Sequence, residues 1–154
     1  ILAMQQVRSR FPGNLMVHLV CPERELRLPG LPYRVFRPTS DQEMALLYQS
    51  ADVFVSSSWF EGYALPPLEA MACGTPVVAT NSGGLMDYCT HLVNAYLTPP
   101  RNPQALAEGI LTVLTDKALY EHLLAGGLSV AQMFTKQRFE QKIVETLEQL
   151  YRQR

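Results

Sequence analysis

Short apolar runs alternate along this chain with stretches whose apolar residues recur every three or four positions. Residues 15–20 (LMVHLV), 33–37 (YRVFR), 53–55 (VFV) and 76–80 (PVVAT) have the length and composition of buried strands, and a fifth run near 95–98 is closed by Pro99-Pro100. Helical spacing fills the intervals. Leu2 or Met4 with Val7 and Phe11 forms one stripe, and Met44, Leu47, Tyr48 and Ala51 form a second. Leu106, Ile110, Val113 and Leu114 form a third, and Phe139, Ile143, Leu147 and Tyr151 a last.

The ends of these elements carry their own signals. Ser40-Asp41-Gln42-Glu43 is a capping box, in which the Ser40 hydroxyl and the Glu43 carboxylate satisfy amides at a helix start. Residues 67–73 make a short helix stopped by Gly74, and Asn102-Pro103 is a cap followed by a first-turn proline. A short helical piece is expected around Asp87, and a longer helix over 116–131 that Gly126-Gly127 weakens or breaks. No capping residue precedes the first stripe, so the chain is expected to begin inside a helix. Residues 21–32, rich in proline and charge, read as a loop.

Strands joined by helical crossovers pair in parallel. The expectation is an α/β domain with an open, Rossmann-like parallel sheet covered by helices on both faces. Ligands of such sheets bind beyond the carboxyl ends of the strands, which puts residues 37–40, 57–66 and 81–84 on the working edge.

Composition narrows the partners. A chain of 154 residues with an ordinary apolar fraction fits one domain with its own core. A formal net charge of -1, with basic residues scattered, gives no field for nucleic acid or anionic lipid. Cys21, Cys73 and Cys89 have neither CxxC spacing nor a nearby histidine pattern, so no disulfide framework and no metal site is expected, and a cytoplasmic setting follows. No apolar run approaches the ~20 residues that cross a bilayer; peripheral membrane association would belong to a full-length protein.

Chemistry concentrates in SSSWFEGYALPPLEAMACGTPVVATNSGG, residues 56–84. Pro66-Pro67 extends the preceding chain and presets a helical turn, so Glu69 is expected in that first turn and Glu61 in the loop before it. Amides of residues 65–70 at the helix start suit phosphate oxygens, and Ser82-Gly83-Gly84 offers a second anion site of the same kind. A carboxylate accepts two hydrogen bonds at once. Glu69 could therefore hold the paired hydroxyls of a ribose, and Glu61 would meet the hydroxyl-rich group carried by the phosphates; a nucleotide sugar fits this arrangement.

The same residues have plain readings too. An acid in a first turn stabilises the helix dipole without a ligand, a loop acid is usually solvated, and a glycine pair is usually a turn. Trp59 and Tyr63 either pack over the loop or touch a ligand. His18, inside an apolar run, reads as a satisfied core histidine, His91 and His122 carry no partner signal, and the cysteines read as structural.

Residues 52–84, DVFVSSSWFEGYALPPLEAMACGTPVVATNSGG, resemble the carboxyl-terminal, donor-binding half of retaining GT-B glycosyltransferases, family 4 (group 1) in particular. The Glu-x7-Glu motif of that family falls on Glu61 and Glu69. The resemblance runs from about Leu15 to the last helix, through SDQEMALLYQSAD, EAMACGTPVV and NPQALAEGILTVL. It implies that Glu61, the catalytic candidate, contacts donor-sugar hydroxyls and that Glu69 holds the ribose. Backbone around Gly62, Tyr63, Ala64 and Leu65 would contact sugar and diphosphate, Arg37, Pro38 and Thr39 would lie against the base, and Gly83 and Gly84 near the far end of the donor. The substrate implied is a nucleotide-diphosphate sugar, with no cofactor and no metal, and no Asp-x-Asp motif is present.

This sequence departs from the family pattern at three positions: Arg37 and Ala64 stand where glycine is common, and Asp87 where glutamate is usual. The resemblance further implies that the first strand and basic loop of this domain, and the whole domain that binds a sugar, lipid or polysaccharide acceptor, lie outside residues 1–154. The parent protein would then be the enzyme and this part alone would be inactive. Two other functions share the architecture. A nucleotide-sugar epimerase half would use the same cleft, and a degenerate donor fold would act as an interaction module.

Overall fold

A computed structural model describes residues 1–22 and 27–153. Residues 23–26 of the expected 21–32 loop lie outside the described residues. The order is α1 (Leu2–Arg10), β1 (Val17–Val20), β2 (Tyr33–Phe36), α2 (Asp41–Gln49), β3 (Phe54–Ser56), α3 (Leu65–Ala72) and β4 (Val77–Thr80). A 3-10 turn (Gly83–Asp87), β5 (Tyr96–Thr98), α4 (Pro103–Thr115), α5 (Lys117–Ala131) and α6 (Lys136–Arg152) follow.

Every strand pairing is parallel, yet the strands form two sheets where one was expected. β1 pairs with β2, from Val17 opposite Tyr33 to Val20 opposite Phe36, while β3, β4 and β5 make a second sheet in that order. Among the described residues, no strand bridges β1 and β3. Burial follows this division. β4, flanked on both sides, is buried at all four positions, whereas β1 alternates between half-buried and exposed and β2 is half-buried except at the exposed Arg34.

His18 accordingly lies on the exposed side of β1, its ring 4.8 Å from Phe36, and is not the core histidine expected from its apolar surroundings. An apolar run shows that a strand is apolar, not that a neighbouring element covers both of its faces.

Helices cover both faces of the second sheet. Val77 and Ala79 point into a cluster with Leu68, Ala70, Met71, Leu85 and Tyr88, and Val78 points oppositely into one with Ala3, Val7, Leu106, Ile110 and Leu123, as strand alternation requires. α5 runs unbroken through Gly126-Gly127, contrary to the expected weakening. The glycine is needed there because a Cβ at 126 would lie 2.1 Å from the Val93 carbonyl oxygen, so the helix can approach the 92–94 turn only without one.

α6 forms, but its apolar stripe is not part of the core; Phe139, Leu147 and Tyr151 are all exposed. In α2 the Ser40 hydroxyl accepts from the Glu43 amide at 3.2 Å. The Glu43 carboxylate reaches one residue further back than a standard capping box, to the Thr39 amide at 2.7 Å and the Thr39 hydroxyl at 3.1 Å. Ser40→Ala is expected to lower stability by about 0.5 to 2 kcal/mol, measured as a fall of a few degrees in Tm.

Candidate functional site

Three loops follow the carboxyl ends of β2, β3 and β4, and the two acids lie beyond β3. α3 begins at Leu65, two positions before the expected start, so Pro66 and Pro67 both fall in its first turn, where a missing N–H is tolerated. Two consequences follow for the acids and amides. Glu69 opens the second turn, beyond the reach of a simple dipole role, and two of the first turn's positions, Pro66 and Pro67, have no N–H to offer.

The residue before α3 supplies a different geometry. Ala64 is left-handed, with φ 58 and ψ 72, and a left-handed residue beside a helical one turns successive amides to one side as an anion-binding nest. This conformation disfavours a Cβ, which is the physical reason glycine is common at this position in the resembled family.

Donors from distant elements brace the acid loop. The Thr80 hydroxyl, at the end of β4, donates to the Ser58 carbonyl. The Gly84 amide donates to the Glu61 carbonyl at 3.0 Å, and the Tyr88 hydroxyl to the Ala64 carbonyl. Burial is the main cause that pushes the Tyr88 phenol up, with Cys89, Tyr63, Glu61 and Glu69 adding to it in that order.

This bracing changes the expected part of Gly83 and Gly84. A Cβ at 83 would lie 2.2 Å from the Glu61 carbonyl oxygen, and one at 84 would lie 1.9 Å from that of Gly62. The space the glycines leave is therefore filled by protein backbone, and the Gly84 amide is already used. As an anion site, the pair lacks that donor.

The Glu69 carboxylate is held from another side. The Tyr48 hydroxyl on α2 donates to Glu69 Oε2 at 2.9 Å. Glu61 is half-buried, and its side chain makes no hydrogen bond or ion pair among the described residues. Trp59, 65% exposed, carries the Arg101 guanidinium 4.5 Å from its ring centroid, while Tyr63 tilts against Tyr88 with ring centroids 5.8 Å apart.

After β2, Phe36, Arg37, Pro38, Glu43, Leu46 and Leu47 line a cleft of about 290 Å³. The Thr39 amide is occupied by Glu43, so in this loop the backbone groups that could face a base do not include it. Among the described residues, no group of three histidine, cysteine or acidic side chains could hold a metal ion, and no helix is long and apolar enough to cross a membrane.

Sequence reasoning missed Tyr48, Thr80 and Tyr88. Each is a residue with a polar tip on an inward-facing position, and a buried hydroxyl requires a partner. That requirement is legible in the sequence, although the partner is not.

The parallel α/β domain has counterparts among solved structures. The chain is 31% identical to the Anabaena protein Alr3699/HepE, solved in complex with UDP-glucose, over 79% of this chain and 33% of that one, with a TM-score of 0.69. It is 28% identical to sucrose-phosphate synthase from Thermosynechococcus elongatus, over 99% of this chain and 41% of that one, with a TM-score of 0.74. The fold is that of a GT-B glycosyltransferase domain.

The family model for glycosyl transferases group 1 matches residues 33–127, and the chain belongs to that family. A relative, the D-inositol 3-phosphate glycosyltransferase of Jonesia denitrificans, is 39% identical over 148 residues, 86% of this chain and 35% of that protein. The chain spans about a third or less of the curated relatives it matches.

Proposed function

We propose that this chain is the donor-binding part of a longer retaining glycosyltransferase and binds a nucleotide-diphosphate sugar. The observation that carries the proposal is the arrangement around α3: a left-handed amide nest at Ala64, with the half-buried Glu61 before it and the anchored Glu69 after it. Phosphate oxygens suit the nest, and the two carboxylates suit hydroxyl groups on either side, ribose at Glu69 and donor sugar at Glu61. The cleft after β2 is the place for the base. UDP-glucose bound to HepE supports this class of ligand.

In transfer, the share of this domain is electrostatic. Amides of the acid loop stabilise charge gathering on the departing diphosphate as the sugar becomes oxocarbenium-like, and Glu61 fixes the sugar through its hydroxyls. The acceptor would bind to a part of the protein outside residues 1–154. The setting proposed is cytoplasmic.

Titration of the chain with the diphosphates of uridine, guanosine, adenosine and thymidine, followed by ligand NMR, tests this reading. One of them is expected to bind selectively, and Glu69→Ala to weaken it about tenfold or more, the equivalent of a charged hydrogen bond of roughly 1.5 to 3 kcal/mol. Equal binding by the Glu69→Ala chain would remove the ribose role.

A further inference from the structure

We infer that Tyr48 is a positioning residue for Glu69, holding Oε2 so that the carboxylate is already oriented toward the ribose diol of a nucleotide. The inference rests on the proposed function and adds to it a residue outside the acid motif. Tyr48 is 5% exposed, and its hydroxyl lies 2.9 Å from Glu69 Oε2 across the contact between α2 and α3.

Tyr48 is itself fixed at both ends. Its ring stands edge-on to Phe54 of β3, with centroids 5.6 Å apart and planes at 70°. Its carbonyl accepts the Thr75 hydroxyl at 2.7 Å, in the turn between α3 and β4. The donor therefore belongs to the packed core, although the carboxylate it holds is exposed.

An exposed glutamate ordinarily samples several rotamers and loses that freedom when it grips a ligand. Here one oxygen is tethered beforehand, while Oε1 and the remaining lone pair of Oε2 stay available for two hydroxyl groups. Burial, and then the bond to Glu69, push the phenol well above its ordinary range, so it keeps its proton and remains a donor. The rule that a buried hydroxyl takes any acceptor within reach explains the contact without a ligand. A positioning role makes a further demand: the effect of Tyr48 has to depend on the ribose hydroxyls.

The test is a cycle of two chains and two ligands by calorimetric titration, with uridine diphosphate and its 2′,3′-dideoxy analogue as probes. Tyr48→Phe is expected to weaken uridine diphosphate about fivefold to tenfold. It is expected to change the dideoxy analogue less than about twofold, and to add less than about twofold in a Glu69→Ala background. Equal weakening of both ligands, or no weakening of either, would overturn the inference while leaving the donor-binding reading intact. Failure of the unsubstituted chain to bind uridine diphosphate or any of the other diphosphates would overturn both. Should Tyr48→Phe not fold, 3-fluorotyrosine in place of Tyr48 keeps the ring and the hydroxyl. A change in affinity for the ribonucleotide alone supports the inference, and an equal change for both ligands, or none, overturns it.

Discussion

Gly84→Ala is expected to destabilise the chain by about 2 to 4 kcal/mol, a fall of roughly 5 to 15 °C in Tm at this size. The added Cβ would lie 1.9 Å from the Gly62 carbonyl oxygen and 2.9 Å from the Tyr63 Cα, both backbone atoms that no rotamer change can move away. Separating the loops also breaks the bond from the Gly84 amide to the Glu61 carbonyl, worth about 1 kcal/mol. Gly62→Ala is the matched control. A Cβ there meets no atom within 4 Å, so its Tm is expected to stay within a degree or two. Thermal unfolding of the two variants followed by circular dichroism decides the matter. Equal midpoints would mean that the two loops are not held together as described.

Met71→Ala is expected to cost about 2 to 5 kcal/mol, seen as a drop of roughly 4 to 20 °C in Tm. Met71 is 1% exposed on the inner face of α3, and its side chain lies against Gly127 of α5, where a Cβ would already come within 3.0 Å of it. The neighbouring helices cannot close fully on the space left by the thioether, so a cavity adds to the lost burial. Glu69→Ala, two positions earlier on the exposed side of the same helix, opens no cavity and leaves only the Tyr48 hydroxyl without its acceptor, so it should lower Tm by less than Met71→Ala while weakening nucleotide binding. A scanning-calorimetry comparison of the two variants separates the helix face that holds the fold from the face that meets a ligand. A fall of less than 2 °C for Met71→Ala would contradict the packing of α3 on α5.

The elements most visible in the sequence were those with local rules. PVVAT reads as a buried strand because nothing in it wants water, and β4 is buried at every position. Asn102 and Asp116 cap α4 and α5 through their own side chains, accepting from the amides three residues on. The acid motif was also legible, since its spacing and the proline pair are sequence features. Its detail was not. Two prolines fall in the first turn of α3, which starts at Leu65, and they remove two of the amides expected of residues 65–70.

Local pattern misled where a residue's surroundings come from elsewhere. LMVHLV is as apolar as PVVAT, but among the described residues β1 pairs with β2 alone, and His18 faces out. Gly126-Gly127 carries a real helix penalty, which close packing on the 92–94 turn outweighs. The α6 stripe has a strong helical period, and a period shows that a helix has an apolar face without showing what covers it.

By itself, the sequence determined the alternation of strands and helices, the parallel α/β class, the caps and the two acids around a proline-led helix. These depend on interactions spanning a few residues, so the order of side chains carries them completely. The tertiary structure alone decided the division into two sheets, the backbone contact made by Gly83 and Gly84, and the partners of the buried hydroxyls. Tyr48 meets Glu69 across 21 positions, Thr80 meets Ser58 across 22 and Tyr88 meets Ala64 across 24. Most buried donors find an acceptor, but which acceptor each finds is settled only when packing brings separate elements together.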